Sequence, residues 1–228
     1  KLVEELQAMG LEVYTDKAGK KVDSNGANIY CFIEGDPNYE PILFSSHMDT
    51  VKPGKGIEPY IKDGYIYSKG ETVLGADDKS GLAAIMEAVR TVKENNLSHR
   101  PIELIFTIRE EGGCHGSANL KYDRIRSKHG VVLDASYDIG RIVINAPGQY
   151  RIYADIYGKP SHAGSDPEKG ISAIMAGARA VNNMKLLRID EETTANIGTL
   201  SGVGETNVVS DYCKLTAEAR GLTQEKLD

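Results

Sequence analysis

One stretch, GADDKSG at 75–81, constrains this chain more than any other. It sets two adjacent carboxylates, Asp77 and Asp78, and a lysine, Lys79, between glycines, directly ahead of an apolar run at 82–92 that reads as a helix. Three further segments are placed to converge on it: SSHMDT at 45–50, REEGG at 109–113 and VVLD at 131–134. Each follows a short hydrophobic run and ends in groups that suit a divalent cation.

The surrounding pattern alternates strands with helices. A helix over 1–9 is followed by strands at 11–15, 29–33 and 42–46, with AGKK and DSNGAN as turns between the first two. Residues 60–68 read as a hairpin around Asp63-Gly64. Beyond the 82–92 helix, 102–108 is almost unbroken apolar, as expected of a parallel strand covered on both faces. A helix at 117–125, a strand at 130–133 and another at 141–145 complete this part. Such alternation predicts an α/β domain over 1–145 with a mixed, mainly parallel sheet, whose ligands gather at the carboxyl ends of the strands. His47, Glu110, Glu111 and Asp134 all fall at such ends.

From 146 to 228 the order changes to a strand at 149–157, a helix at 166–184 capped by Asp166 with Pro167 in its first position, and strands at 194–200 and 208–219. A helix capped by Thr223 then begins, giving β-α-β-β-α, one strand short of a ferredoxin-like α+β unit. The chain opens inside a helix without an initiating methionine and ends one turn into another, so segments are expected beyond both ends and both domains are expected to be incomplete.

Composition narrows the function. With 228 residues, 40% hydrophobic and 26% charged, the chain can bury a real core and reads as an ordinary soluble protein. A net charge of −6 without a basic block argues against a nucleic-acid partner. No apolar run approaches the roughly 18 residues of a membrane span and no signal peptide opens the chain, so no membrane partner is expected. Cys31, Cys114 and Cys213 are odd in number and far apart, which fits a reducing, cytoplasmic setting and offers no thiolate metal site.

With thiolates excluded, histidine and carboxylates must serve any cation. In H-x-D, His47 and Asp49 lie two apart and so face one side of a strand. His47 can bind metal while Asp49 stands behind it and orients the ligands. Glu110 and Glu111 are adjacent and point different ways, so one can ligate while the other faces the reacting water. Taken singly each feature has a plainer reading: a structural histidine, a solvated acid pair, a turn cap at Asp134, a helix cap at Asp77 and Asp78. Four of them at strand ends are harder to dismiss together.

In this order, SSHMDTV, GADDKSG, FTIREEGG, VVLD and PSHAG resemble the cocatalytic-zinc exopeptidase and amidohydrolase family, and HMDTV with GADDKSG look most like its peptidase T branch. The resemblance covers nearly the whole chain. It implies a zinc-dependent catalytic domain carrying an inserted lid that dimerises, with two zinc ions per subunit (cobalt or manganese suit the same ligands). His47 and Asp134 would bind one ion, Asp77 would bridge both and Glu111 would bind the second. Asp78 would follow Asp77 across a peptide bond that is often cis in this family. Glu110 would be general base and acid, and Asp49 a supporting catalytic residue. His162, in Pro160–Gly164, would reach the neighbouring subunit's site and bond the oxyanion, while Asn207 and Arg220 would hold the substrate. Family members take one more histidine near the carboxyl terminus, and no histidine follows His162 here. The implied reaction is hydrolysis of an amide in a short peptide or N-acyl amino acid, with a tripeptide aminopeptidase as first expectation. A carboxypeptidase or deacylase of the same family is the alternative, and a non-catalytic peptide-binding or dimerisation relative is the reading from another class.

Overall fold

Apolar side chains on both faces of the strands build the core of a five-stranded sheet. In a computed structural model, which describes residues 1–136 and 138–228, the chain divides into two compact units, Lys1–Asp138 and Ile139–Asp228. The first contains α1 (Leu2–Ala8), β1 (Val13–Thr15), a single-turn α2 (Ala18–Lys21), β2 (Ile29–Ile33), β3 (Ile42–His47), the hairpin β4 (Pro59–Lys62) and β5 (Tyr65–Ser68), α3 (Ala76–Glu94), β6 (Ile102–Thr107) and β7 (His129–Val132). Sheet order is β1-β2-β6-β3-β7.

The sheet is mixed but not mainly parallel. β6–β3 and β3–β7 are parallel, whereas β1–β2 and β2–β6 are antiparallel. Between β1 and β2 the chain forms only the single turn α2 and the pair is antiparallel, while α3 lies in the crossover that joins the parallel strands β3 and β6. Every residue of β6 is buried, and Leu104 and Phe106 meet Leu6, Ile33 and Ile85 in the core. Glu103, also in β6, is buried with its carboxylate accepting from the backbone N–H of Arg126 and Ser127.

Several local expectations fail for identifiable reasons. The AGKK turn is the helical turn α2, and no strand forms at 141–145, which is exposed. Residues 117–125 form two 3-10 turns, Ser117–Asn119 and Tyr122–Arg124, rather than one helix. Between them Leu120 is extended, and the Lys121 N–H donates to the Tyr30 hydroxyl at 2.9 Å instead of to a helical carbonyl.

In the second unit β8 (Gly148–Tyr157), β9 (Leu187–Arg188), β10 (Thr193–Val203) and β11 (Tyr212–Gly221) make an antiparallel sheet ordered β8-β11-β10-β9. Helix α4 (Ala173–Asn183) and the closing turn α5 (Gln224–Leu227) accompany it. The predicted helix at 166–184 is divided: Pro167–Lys169 is a 3-10 turn, Ile171 pairs with Lys159 in a β-bridge, and α4 starts afresh with the Ser172 hydroxyl accepting from Met175 N. That bridge uses the backbone groups of Ile171 that a continuous helix would need. β11 likewise starts only at Tyr212, because Val208 is bridged to His162. Ala173, Cys213 and Leu215 are buried in this unit.

Candidate metal centre

His47 closes β3 at 3% exposure, and burial there leaves its ring few orientations. Its Nδ1 lies 3.1 Å from the Asp49 carbonyl oxygen, an acceptor, so Nδ1 carries the proton. Nε2 is thereby aimed at carboxylates: 3.0 Å from Asp77 Oδ1 and 3.8 Å from Asp134 Oδ1. These three ligand atoms all lie within 4.8 Å of one another. One nitrogen and two carboxylate oxygens so gathered suit a divalent cation such as zinc.

The electrostatics say the same. Burial lowers the affinity of His47 for a proton, but the hydrogen bond to Asp77 and the charges of Asp134, Asp49 and Glu110 outweigh it and raise its pKa. Asp134 is pushed up to about 6 by burial and by its hydrogen bond with Asp77, against the pull of His47. Acids that hold protons this firmly lack a positive counter-charge, and a bound dication supplies one.

The GADDKSG loop reaches the centre through a specific backbone. Gly75 precedes α3 in the left-handed region at φ 67°, and Asp77 and Asp78 are non-helical, so regular helix begins only at Lys79. The Asp77–Asp78 peptide bond is cis. Asp77 points out to His47, whereas Asp78 is buried and accepts from Gly81 N at 3.1 Å. The Ser46 hydroxyl donates to the Asp78 carbonyl at 3.0 Å, and Lys79 Nζ donates to the Met48 carbonyl at 3.3 Å, pinning the loop to the end of β3.

Asp49 stands behind the ligands. Its carboxylate accepts from Glu110 N at 2.9 Å and Glu111 N at 3.2 Å, so one side chain links the histidine strand to the two-glutamate turn. Glu110 is half-buried; Glu111 is exposed and lies outside the His47–Asp77–Asp134 group. The turn is shaped by Arg109 at φ 55° and by Gly113 N and Cys114 N, both donating to the Glu110 carbonyl at 2.8 Å. Cys114 Sγ lies 3.4 Å from Glu110 Oε1.

Sequence reasoning missed Asn28. Fully buried, it donates to the Asp16 carboxylate and to the Gly116 carbonyl and accepts from Ile108 N, at 2.9, 3.0 and 3.1 Å. Asn28 therefore holds both ends of the turn that carries Glu110 and Glu111. Its partners are 80 and 88 residues away, so the polar DSNGAN cluster read only as a turn.

In the second unit, His162 Nδ1 accepts from Gly164 N at 3.0 Å and Ser165 N at 3.2 Å. The neutral ring consequently carries its proton on Nε2, free to donate. Ala163 N donates to the Asn207 carbonyl at 2.8 Å, bringing Asn207 beside this loop. Arg220 is not brought to them: it sits at the opposite end of β11, with Nε donating to Glu218 Oε1 at 2.9 Å.

Comparison with known proteins agrees with this geometry. Residues 43–188 match the model of peptidase family M20/M25/M40. An uncharacterised protein of Bacillus subtilis is 44% identical over 96% of this chain and 59% of its own length. The aminopeptidase PepT structure from Bacillus cereus superposes with a TM-score of 0.92 at 47% identity, over 99% of this chain and 61% of that one. A tripeptidase structure from Staphylococcus aureus gives 0.95 at 43% identity, over 98% and 60%. The chain thus spans about 60% of the length of these relatives, and on the strength of the matched model and of identities above 40% it belongs to peptidase family M20/M25/M40.

Proposed function

We propose that this chain carries the active-site half of a zinc-dependent peptidase that releases the amino-terminal residue of short peptides, tripeptides foremost. The observation that carries the reading is the meeting of His47 Nε2 with Asp77 Oδ1 and Asp134 Oδ1 within 4.8 Å. The aminopeptidase and tripeptidase named among its structural relatives support the substrate class.

His47 and Asp134 would hold one zinc, Asp77 would be shared, and Glu111 would serve a second ion. Bound zinc would polarise the scissile carbonyl and acidify the attacking water. Glu110 takes the proton of that water and returns it to the leaving amine nitrogen. Asp49 keeps Glu110 and Glu111 in place through their N–H groups. His162, with its proton on Nε2, donates to the oxyanion in the site of a neighbouring subunit, so the working protein is a homodimer joined through the second unit as a lid. Asn207 and Arg220 would hold the substrate's polar backbone or carboxylate. A cytoplasmic location is part of the proposal, supported by the odd number and wide spacing of Cys31, Cys114 and Cys213; among the described residues no helix is long and apolar enough to cross a membrane.

Similarity to carboxypeptidase G2 of Pseudomonas, 28% over 98% of this chain, favours a second reading in which a free carboxylate is recognised. Metal analysis and substrate comparison on the whole protein separate the two. A tripeptide cleaved at least about a hundredfold faster than its N-acetylated form, and loss of zinc with activity in His47→Ala, are the expected results. Faster cleavage of the acetylated peptide would favour the carboxypeptidase, and full activity in His47→Ala would remove the metal centre altogether.

A further inference from the structure

The geometry points to Cys114 as a positioning residue for Glu110, a role that rests on the reading of Glu110 as general base. The backbone of Glu110 is held at both its groups: Asp49 accepts its N–H, and its carbonyl accepts from Gly113 and Cys114. None of these bonds fixes the carboxylate. Cys114 does so, its thiol donating to Glu110 Oε1 at 3.4 Å. Burial together with the hydrogen bond to Glu110 raises the pKa of this thiol, which keeps it protonated and a donor rather than a competing anion.

The backbone supplies an independent argument. Cys114 sits in the left-handed region at φ 56°, directly after Gly112 and Gly113. Glycine relaxes at such a position, and a residue with a Cβ there carries a conformational cost on the order of 1 kcal/mol. The turn nevertheless places a side chain at this point, and that side chain donates to the Glu110 carboxylate. A donor at this point orients the carboxylate toward the water.

The test uses the whole zinc-loaded protein and a tripeptide substrate. Cys114→Ala should lower kcat about fivefold to tenfold while KM and zinc content stay within about twofold, the pattern of a lost transition-state orientation. Cys114→Ser, which restores a donor, should recover most of the loss. Wild-type kcat in Cys114→Ala, or a serine variant no better than alanine, would overturn the proposal. Glu110→Ala measured alongside keeps the two readings apart. If it remains active, the general-base assignment fails; if it is dead while Cys114→Ala is unaffected, only the positioning role fails.

Discussion

Asp134 shows how one side chain can report on the whole centre. Its carboxyl is pushed from the ordinary 3.8 to about 6 by burial and by Asp77. The folded chain therefore keeps this proton to higher pH than the unfolded chain does. In metal-stripped protein the corresponding stabilisation is complete below about pH 4 and is lost as pH climbs through about 6. Thermal unfolding of metal-stripped wild type should fall more steeply between pH 4 and 7 than that of Asp134→Asn; parallel curves would show that Asp134 is not perturbed. A bound dication would take the place of that proton, so its affinity should weaken as pH drops through the same interval. The residues legible at this scale were those with a local spacing rule. His47 and Asp49 lie two apart at the end of a strand, and the structure keeps them together. Asn28 and Cys114 had none, because their roles depend on where a distant strand or the far side of a tight turn brings their atoms.

At the scale of elements, α3 is the part most finely fitted to the centre. Gly81 lies inside it, and a Cβ at that position would come within 2.5 Å of Asp78 Oδ1 and 2.7 Å of the Leu133 carbonyl oxygen. The carbonyl is backbone just ahead of Asp134, so relief would require the helix to move away from the His47–Asp77–Asp134 group. Gly81→Ala should destabilise the chain by about 1–3 kcal/mol, against the small gain expected of alanine in an unobstructed helix; denaturant unfolding decides the sign. The second glycine of GADDKSG is thus a packing requirement as well as punctuation. The helix itself was legible from its apolar run. Its kinked start was not legible from that run, where Asp77 and Asp78 look like ordinary first-turn acids, and only the family resemblance pointed to the cis bond between them.

For the whole molecule, the sharpest consequence is the proposed sharing of a site between subunits. His162→Ala and Glu110→Ala proteins should each be nearly inactive alone. After mixing and exchange, half the dimers are hybrid and each hybrid holds one native site, so activity should return to roughly a quarter of wild type. Mixtures that stay inactive after demonstrated exchange would assign His162 to its own subunit. What the sequence by itself determined was the set of chemical groups and their period: apolar runs long enough for buried strands, acids and a histidine at their ends, and motifs specific enough to mark a peptidase. Those are local properties, set by side-chain type and spacing. Tertiary structure alone decided the rest. Strand order made two pairings of the first sheet antiparallel and two parallel, and a β-bridge divided the expected 166–184 helix. Only the fold brings His47, Asp77 and Asp134, spread over nearly ninety residues, within 4.8 Å of one another, because convergence depends on strand order and long-range hydrogen bonds that no local spacing encodes.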